Sequence, residues 1–218
     1  MKLQCKISAA LCLILTLALP SIAQTAAAPA PTTPSSTLSS EERETALKNL
    51  QTTHDAFLKS IAGLSEKQWR FKAAPERWSI AEVAEHITIS ESTFLGTLQG
   101  EVMTSPADPA KRAEVKGKDE MVLKMVPDRT QKRHAPENLK PTNRWPNRDE
   151  LTKAFEENRK ATMDYVKTTT GDLRDHFAPH GSPGLLDGYQ WILFISAHSE
   201  RHTKQIEEVK ADPNFPKE

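Results

Sequence analysis

Cysteine is almost absent from this sequence of 218 residues. Its two cysteines, Cys5 and Cys12, both lie close to the N-terminus. The rest of the chain can therefore form neither a disulfide framework nor a cysteine-ligated zinc site, and it has no thiolate nucleophile. Any metal site there must be built from histidine and carboxylate side chains.

The sequence also lacks a net charge, because 29 Lys and Arg residues balance 29 Asp and Glu residues. We therefore expect no nucleic-acid partner and no strong attraction to an anionic membrane. Long hydrophobic runs are missing too. The most apolar stretch, residues 7–19, is 13 residues long, whereas a membrane-spanning helix needs about 20.

That short stretch has the layout of a secretory signal peptide. Two lysines precede it, and small residues follow it up to Ala23, where cleavage is expected. Removal of residues 1–23 takes away both cysteines and two lysines but no acid, so the formal charge becomes −2. Residues 24–39 are small, proline-rich and uncharged, which predicts a flexible tether. We expect an exported protein, periplasmic or secreted and without stable membrane insertion, whose domain spans residues 40–218.

Four stretches of this domain carry apolar residues at three- and four-residue intervals, which predicts amphipathic helices. The stretches are residues 40–64, 80–101, 147–169 and 187–210. Capping-box pairs, Ser79 with Glu82 and Asp187 with Gln190, indicate where the second and fourth helices begin. No stretch shows convincing strand alternation. The predicted fold class is therefore all-α, a four-helix bundle.

The predicted second and third helices are joined by a long connection, residues 103–146. It contains six prolines and a basic cluster made of Arg129, Lys132, Arg133 and His134. No long helix fits across so many prolines, although residues 121–126 could form a short one. A connection of this length would allow the second and third helices to run parallel, and loops this long in compact domains are usually functional or mobile.

Three histidines are candidates for a metal site. His198 and His202 are one turn apart on the buried stripe of the fourth helix, and His86 lies on or beside the stripe of the second. Each buried imidazole needs a partner for its ring nitrogens, and a metal ion would supply one. Hydrogen-bonded core histidines explain such an i, i+4 pair about as often. Three imidazole ligands would leave coordination positions open, which is typical of catalytic sites.

Other residues could assist these histidines. Arg201 and Gln205 lie within about 60° of His198 on the helical wheel. Gln205 could orient a ligand histidine, and Arg201 could bind a substrate carboxylate or form a surface salt bridge. His54, on the stripe of the first helix, could be a fourth ligand, a cavity-lining residue or a satisfied core histidine. His180 could approach the mouth of the site.

Two blocks of residues together resemble a known family. The blocks are Trp78-Ser79-x-x-Glu82-Val83-x-x-His86-Ile87 and His198-x-x-Arg201-His202-x-x-Gln205-Ile206. Their order and spacing closely resemble those of the DinB-like (YfiT-like) metalloproteins over most of residues 40–210. The resemblance implies an up-down-down-up bundle with a divalent metal, often nickel or zinc, on His86, His198 and His202. It also implies a thiol-dependent transferase or isomerase, or a metal-dependent hydrolase. The signal peptide and the long basic connection depart from the family pattern.

Three functions remain open at this point. The first is an exported hydrolase or group transferase that activates a small-molecule substrate with a divalent ion, Zn, Ni or Fe, although no carboxylate is aimed at the ion as a general base. The second is a non-catalytic periplasmic bundle that binds a metal or another ligand. The third is a plain bundle that acts through its basic connection. No sequence feature indicates the oligomeric state, so a homodimer stays open.

Overall fold

The computed structural model describes residues 37–217. The predicted signal peptide and most of the predicted tether lie outside these residues. The helices of the described part are α1 (Ser40–Ile61), α2 (Glu66–Trp69), α3 (Ile80–Thr97), α4 (Lys118–Met125), α5 (Arg148–Thr168) and α6 (Gly188–Lys210). A π-helical turn, Leu98–Val102, extends α3 to one residue beyond its predicted end. Among residues 37–217, no helix combines the length and the apolar character that crossing a membrane requires.

Helices α1, α3, α5 and α6 form a four-helix bundle in which α1 and α3 each pack against both α5 and α6. Arg43, near the start of α1, donates to the carbonyl of Thr169 just after α5, at 3.1 Å. These two helices are therefore antiparallel. The hydroxyl of Tyr189, at the start of α6, donates to the carbonyl of Glu42 at 3.1 Å, so α1 and α6 are parallel.

The direction of α3 follows from its contacts with α6. The ring of Phe94, near the end of α3, lies 6.4 Å from the ring of Trp191, near the start of α6, as measured between centroids. These two helices are therefore antiparallel. The chain follows the predicted up-down-down-up path, in which the connection between α3 and α5 allows those helices to run parallel.

Reciprocal capping boxes explain where three of the bundle helices begin. Ser39, Ser79 and Asp187 each accept a hydrogen bond from the backbone N–H three residues later, and the side chain of that later residue returns a bond to the cap backbone. Such reciprocal bonds satisfy N–H groups that the first helical turn leaves unpaired. The predicted capping boxes of α3 and α6 are confirmed.

A charged pair lies in the centre of the bundle. Arg159 of α5 and Glu91 of α3 are each 1% exposed and form two hydrogen bonds, of 2.9 and 2.5 Å. The hydroxyl of Ser199, on α6, donates to Glu91 at 2.6 Å, and Arg159 donates to Thr53 of α1 at 2.7 Å. Because a buried charge is stable only when it is paired and hydrogen-bonded, this network fixes the four helices relative to one another.

A short β-hairpin precedes α6 and corrects the prediction that the domain contains no strands. Strand β1 (Phe177–His180) pairs antiparallel with β2 (Gly184–Asp187). Each strand has only four residues, too few to show an alternating pattern. The short helix predicted around residues 121–126 is confirmed as α4.

Candidate metal centre

The three candidate histidines converge between α3 and α6. One ring nitrogen from each of His86, His198 and His202 lies within 4.8 Å of the others. The antiparallel packing brings the second turn of α3 beside the later turns of α6, and the i, i+4 spacing points both α6 rings the same way. His86 and His198 are buried, and His202 is partly buried. The structure thus assembles the set predicted from the sequence, while metal binding itself remains a prediction.

Hydrogen bonds fix the protonation of two of these rings. Nδ1 of His86 lies 2.8 Å from the carbonyl oxygen of Leu139. A carbonyl oxygen can only accept, so Nδ1 carries the proton and the lone pair of the neutral ring is on Nε2. Nδ1 of His202 lies 2.8 Å from Oε1 of Gln205. Arg129 donates to the same oxygen at 3.2 Å, which confirms that the amide turns its oxygen toward the ring. His202 therefore also keeps its lone pair on Nε2.

These two lone pairs face each other. The Nε2 atoms of His86 and His202 are 3.2 Å apart. A direct hydrogen bond between them would require one ring to be an imidazolium. Burial opposes that charge, since it lowers the pKa of His86 and holds the pKa of His202 well below its usual value. A tetrahedral ion with nitrogen ligands at about 2.05 Å keeps them about 3.3 Å apart. The donor atoms therefore fit a divalent ion.

Aromatic rings enclose the third ligand candidate. His198 meets the edge of Phe94, with ring centroids 5.0 Å apart, and Phe194 lies 5.8 Å away. Burial, followed by the neighbouring imidazoles, holds the pKa of His198 well below its usual value. Neutral imidazole is the form that binds metal ions. The ring of His180, from the hairpin, is tilted by 47° against that of Phe194, with centroids 3.9 Å apart, and His180 lines the mouth of the site, where the sequence suggested it could lie.

Arg201 has a different role from those that the sequence suggested. Its guanidinium is buried and donates to the backbone carbonyls of Val126 at 3.1 Å, Asp128, and Gln131 at 2.6 Å. These partners lie in the connection between α4 and α5, so Arg201 anchors that segment to α6. Within residues 37–217 Arg201 forms no salt bridge, and both of its Nη atoms point to these carbonyls.

His54 is not part of the centre, which corrects its candidacy as a fourth ligand or cavity-lining residue. Its Nδ1 lies 2.8 Å from a carboxylate oxygen of Asp55, and its ring stacks on Phe155 with centroids 5.7 Å apart. It is a satisfied histidine on the side of α1. The apolar stripe predicted its face correctly, but a stripe does not show which neighbouring helix that face meets.

Sequence reasoning missed a carboxylate that supports the centre indirectly. Glu85 is buried and accepts hydrogen bonds from the backbone N–H groups of Thr142, Asn143 and Arg144, at 2.8, 3.0 and 3.1 Å. Glu85 therefore holds the segment that follows Leu139, the partner of His86. Within residues 37–217, no carboxylate joins the histidine group itself.

A cavity of about 860 Å³ opens above the three histidines. Its walls come from α6, the segment before α3, the hairpin, and residues 125–140. Its size is that of small-molecule sites in general. The fold and the site together define a four-helix bundle with a buried three-histidine centre at the base of a substrate-sized cavity.

Comparison with known proteins identifies the family of this bundle. Residues 49–206 match the DinB superfamily, and the chain therefore belongs to that superfamily. The chain is 27% identical over 150 residues to YuaE of Bacillus subtilis, a protein described as uncharacterised; the match covers 69% of this chain and 88% of YuaE. Among solved structures it is similar to YfiT of Bacillus subtilis, with a TM-score of 0.51 and 14% identity, over 84% of this chain and 94% of YfiT. YfiT is described as a probable metal-dependent hydrolase with an unusual four-helix bundle topology. At this identity the likeness supports the fold alone.

Proposed function

We propose that this protein is a metal-dependent hydrolase of small molecules, with a divalent ion on His86, His198 and His202. The observation that carries the proposal is the pair of unprotonated Nε2 atoms, 3.2 Å apart, that face each other in a buried centre. The description of YfiT as a probable metal-dependent hydrolase agrees with it. A divalent ion would supply Lewis acidity toward a carbonyl or phosphoryl oxygen and would lower the pKa of water.

The chain itself contributes positioning. Leu139 and Gln205 hold the rings of His86 and His202 in one orientation through their Nδ1 atoms. Three protein ligands leave positions open for substrate and water, as in catalytic sites and unlike closed structural ones. Phe94 and Phe194 cover His198 and keep bulk water away from one side of the centre. We favour hydrolysis over group transfer because its second reactant is water, which the cavity admits.

Metal analysis combined with turnover tests this proposal. We expect about one equivalent of Zn, Ni or Fe in the native protein, measured by mass spectrometry, and none in the His198→Ala, His202→Ala variant. The His54→Ala variant is the matched control and should retain the ion. The metal-loaded protein should hydrolyse at least one compound from a panel of esters, amides and phosphoesters, and His198→Ala should abolish that turnover while the helical circular dichroism persists.

The possible outcomes separate the remaining functions. Metal binding without turnover of any panel member would favour the non-catalytic metal-binding bundle. Absence of metal, even after reconstitution with Zn, Ni and Fe, would overturn the metal centre altogether. Gross unfolding on removal of the ion would indicate a structural site.

We also propose that the protein is exported. The support is the sequence of residues 1–23, with two lysines ahead of a 13-residue apolar stretch and small residues before the expected cleavage point. The intact mass of the mature protein, recovered from the periplasm or the medium, should correspond to a chain that begins at Gln24. A full-length chain found only in the cytoplasm would contradict this proposal.

A further inference from the structure

The cavity above the histidines is strongly basic. Its lining includes six cationic side chains and a single carboxylate, that of Glu76. The cations are Arg77, Arg129, Lys132, Arg133, Lys140 and Arg201. The chain as a whole has no net charge, so this concentration of positive charge is local to the site.

Three of these cations already have fixed partners. Arg201 donates to backbone carbonyls, as described above. Arg129 forms two hydrogen bonds with the carboxylate of Glu208, at 2.6 and 2.7 Å. Lys140 pairs with Glu137 at 2.6 Å. These contacts stabilise the cavity wall. Because the three cations already have partners, we expect them to contribute little to the binding of a ligand.

The other three cations have no such partner. Within residues 37–217, the side chains of Arg77, Lys132 and Arg133 form no ion pair and no hydrogen bond. Arg77 is partly buried and precedes α3, whereas Lys132 and Arg133 are exposed and come from the connection between α4 and α5. Arg133 is close enough to the hairpin that its charge helps to lower the pKa of His180, after the larger effect of burial. The free cations therefore belong to two walls of one cavity.

The segment that carries Lys132 and Arg133 is held at both ends. On one side Arg201 binds the carbonyls of residues 126–131, and Arg129 reaches back to Glu208. On the other side Glu85 binds the N–H groups of residues 142–144. These anchors on α6 and α3 place the exposed residues Lys132 and Arg133 on the wall of the cavity that also contains the histidines.

We propose that the substrate is a small anion whose carboxylate or phosphoryl group is bound by Arg77, Lys132 and Arg133 while its reacting group lies at the histidines. This inference rests on the proposed function and names its substrate class. Arginine and lysine donate charge-assisted hydrogen bonds to such groups, and a concave wall of one charge sign concentrates the opposite charge. A cavity of about 860 Å³ suits a small molecule rather than a polymer.

Calorimetric titration tests this inference with simple probes. Succinate and inorganic phosphate represent the two anionic groups, and succinamide is the neutral analogue of succinate. The metal-loaded protein should bind both anions but not succinamide. The variant Arg77→Gln, Lys132→Gln, Arg133→Gln should bind both anions at least about tenfold more weakly, because the loss of a single charge-assisted hydrogen bond can by itself weaken binding about tenfold.

A matched control removes three positive charges elsewhere. Lys48, Lys59 and Lys67 are exposed and do not line the cavity. The variant Lys48→Gln, Lys59→Gln, Lys67→Gln should therefore bind succinate as the native protein does. If both triple variants lost affinity equally, net charge rather than the cavity would govern binding, and the inference would fail.

Metal content, measured on every variant, separates this inference from the proposed function. If the native protein takes up no metal but still binds succinate through the three cations, the anion subsite would be supported and the hydrolase proposal would fail. Anion binding that disappears in the His198→Ala, His202→Ala variant, yet is unchanged in the cavity triple variant, would place the anion on the ion alone and overturn the inference. No binding of either anion up to about 10 mM would also overturn it.

Discussion

Nδ1 of His86 donates to the carbonyl oxygen of Leu139 at 2.8 Å, across 53 positions of the sequence. The bond connects a candidate metal ligand on α3 to the long connection between α3 and α5. The preceding residue, Glu85, holds the same connection through three backbone N–H groups. One turn of α3 therefore supplies a candidate ligand to the centre and also fixes the segment that orients its ring.

The first prediction concerns this double role of Glu85. Glu85→Gln replaces a charged acceptor of three N–H groups by an amide with one acceptor oxygen. We expect the free energy of unfolding to fall by about 1–3 kcal/mol, and the metal affinity to fall about tenfold because His86 loses its fixed orientation. Urea unfolding and competition with a chelator would measure the two effects. Glu207→Gln, at an exposed position paired only with Lys210, should change neither.

A second prediction concerns Gln205, the partner of His202. Gln205→Ala removes the oxygen that accepts the hydrogen bond from Nδ1–H of His202, so metal affinity should drop about 10- to 100-fold. Gln205→Glu retains an acceptor at the same place and should preserve most of the affinity. Gln51→Ala, a glutamine bonded to Asp55 on the exposed side of α1, serves as the control. Equal affinities for Gln205→Ala and the native protein would show that Gln205 does not orient the ligand.

The third prediction concerns the buried pair Arg159 and Glu91. Arg159→Met leaves the carboxylate of Glu91 buried without its partner, and we expect a loss of about 3–5 kcal/mol in the free energy of unfolding. The double variant Arg159→Met, Glu91→Leu removes both charges and should recover most of that loss. Chemical denaturation of the two single variants and the double variant forms a thermodynamic cycle. A double variant as unstable as the sum of the singles would mean that the two charges do not stabilise each other.

The parts of this structure that the sequence predicted depend on local patterns. Apolar periodicity and capping pairs predicted the four bundle helices, and the i, i+4 spacing predicted that His198 and His202 share a face. Each of these features needs only neighbouring residues. The pairing of His86 with them followed from its place on another buried stripe, together with the resemblance to a known family.

The features that the sequence did not predict depend on contacts between distant segments. Arg201 binds the carbonyl oxygens of Val126, Asp128 and Gln131, and every residue offers such a carbonyl, so no side-chain pattern indicated the partners. The bond between Arg159 and Glu91 requires the register of α5 against α3, which helical periodicity does not set. His54 failed as a candidate for the same reason, because its helix face meets Phe155 rather than the histidines.

The fourth prediction concerns the cap of α6 and its dependence on pH. Arg174 donates to Glu42, Asp119 and Asp187, so three carboxylates share one guanidinium. Asp187 is only 2% exposed. Burial raises its pKa to about 6; Arg174 opposes this rise, and the charge of Asp119 adds to it. Asp187 therefore keeps its proton up to about pH 6 in the folded protein.

The sign of the pH effect follows from this raised pKa. Between the unfolded pKa of about 4 and the folded value, the folded protein binds more protons, so its stability falls as pH rises through this window. Asp187→Asn keeps an acceptor for the cap and cannot titrate. The unfolding free energy of the native protein, relative to this variant, should thus fall by about 2 kcal/mol from pH 4 to pH 7. Urea unfolding at intervals of pH would measure it.

Asp119→Asn provides the opposite control for this experiment. Burial disfavours ionisation of Asp119, but hydrogen bonds from Arg174 and Gln190 outweigh it, and the pKa is lowered overall. The stability that ionised Asp119 contributes is therefore present above about pH 4 and is lost as pH falls further. Because the charge of Asp119 also adds to the raised pKa of Asp187, the difference of Asp119→Asn from the native protein should change from pH 5 to 7, but by less than that of Asp187→Asn. If the Asp187→Asn difference were constant over this range, Asp187 would be ionised throughout, and Arg174 would compensate the buried charge in full.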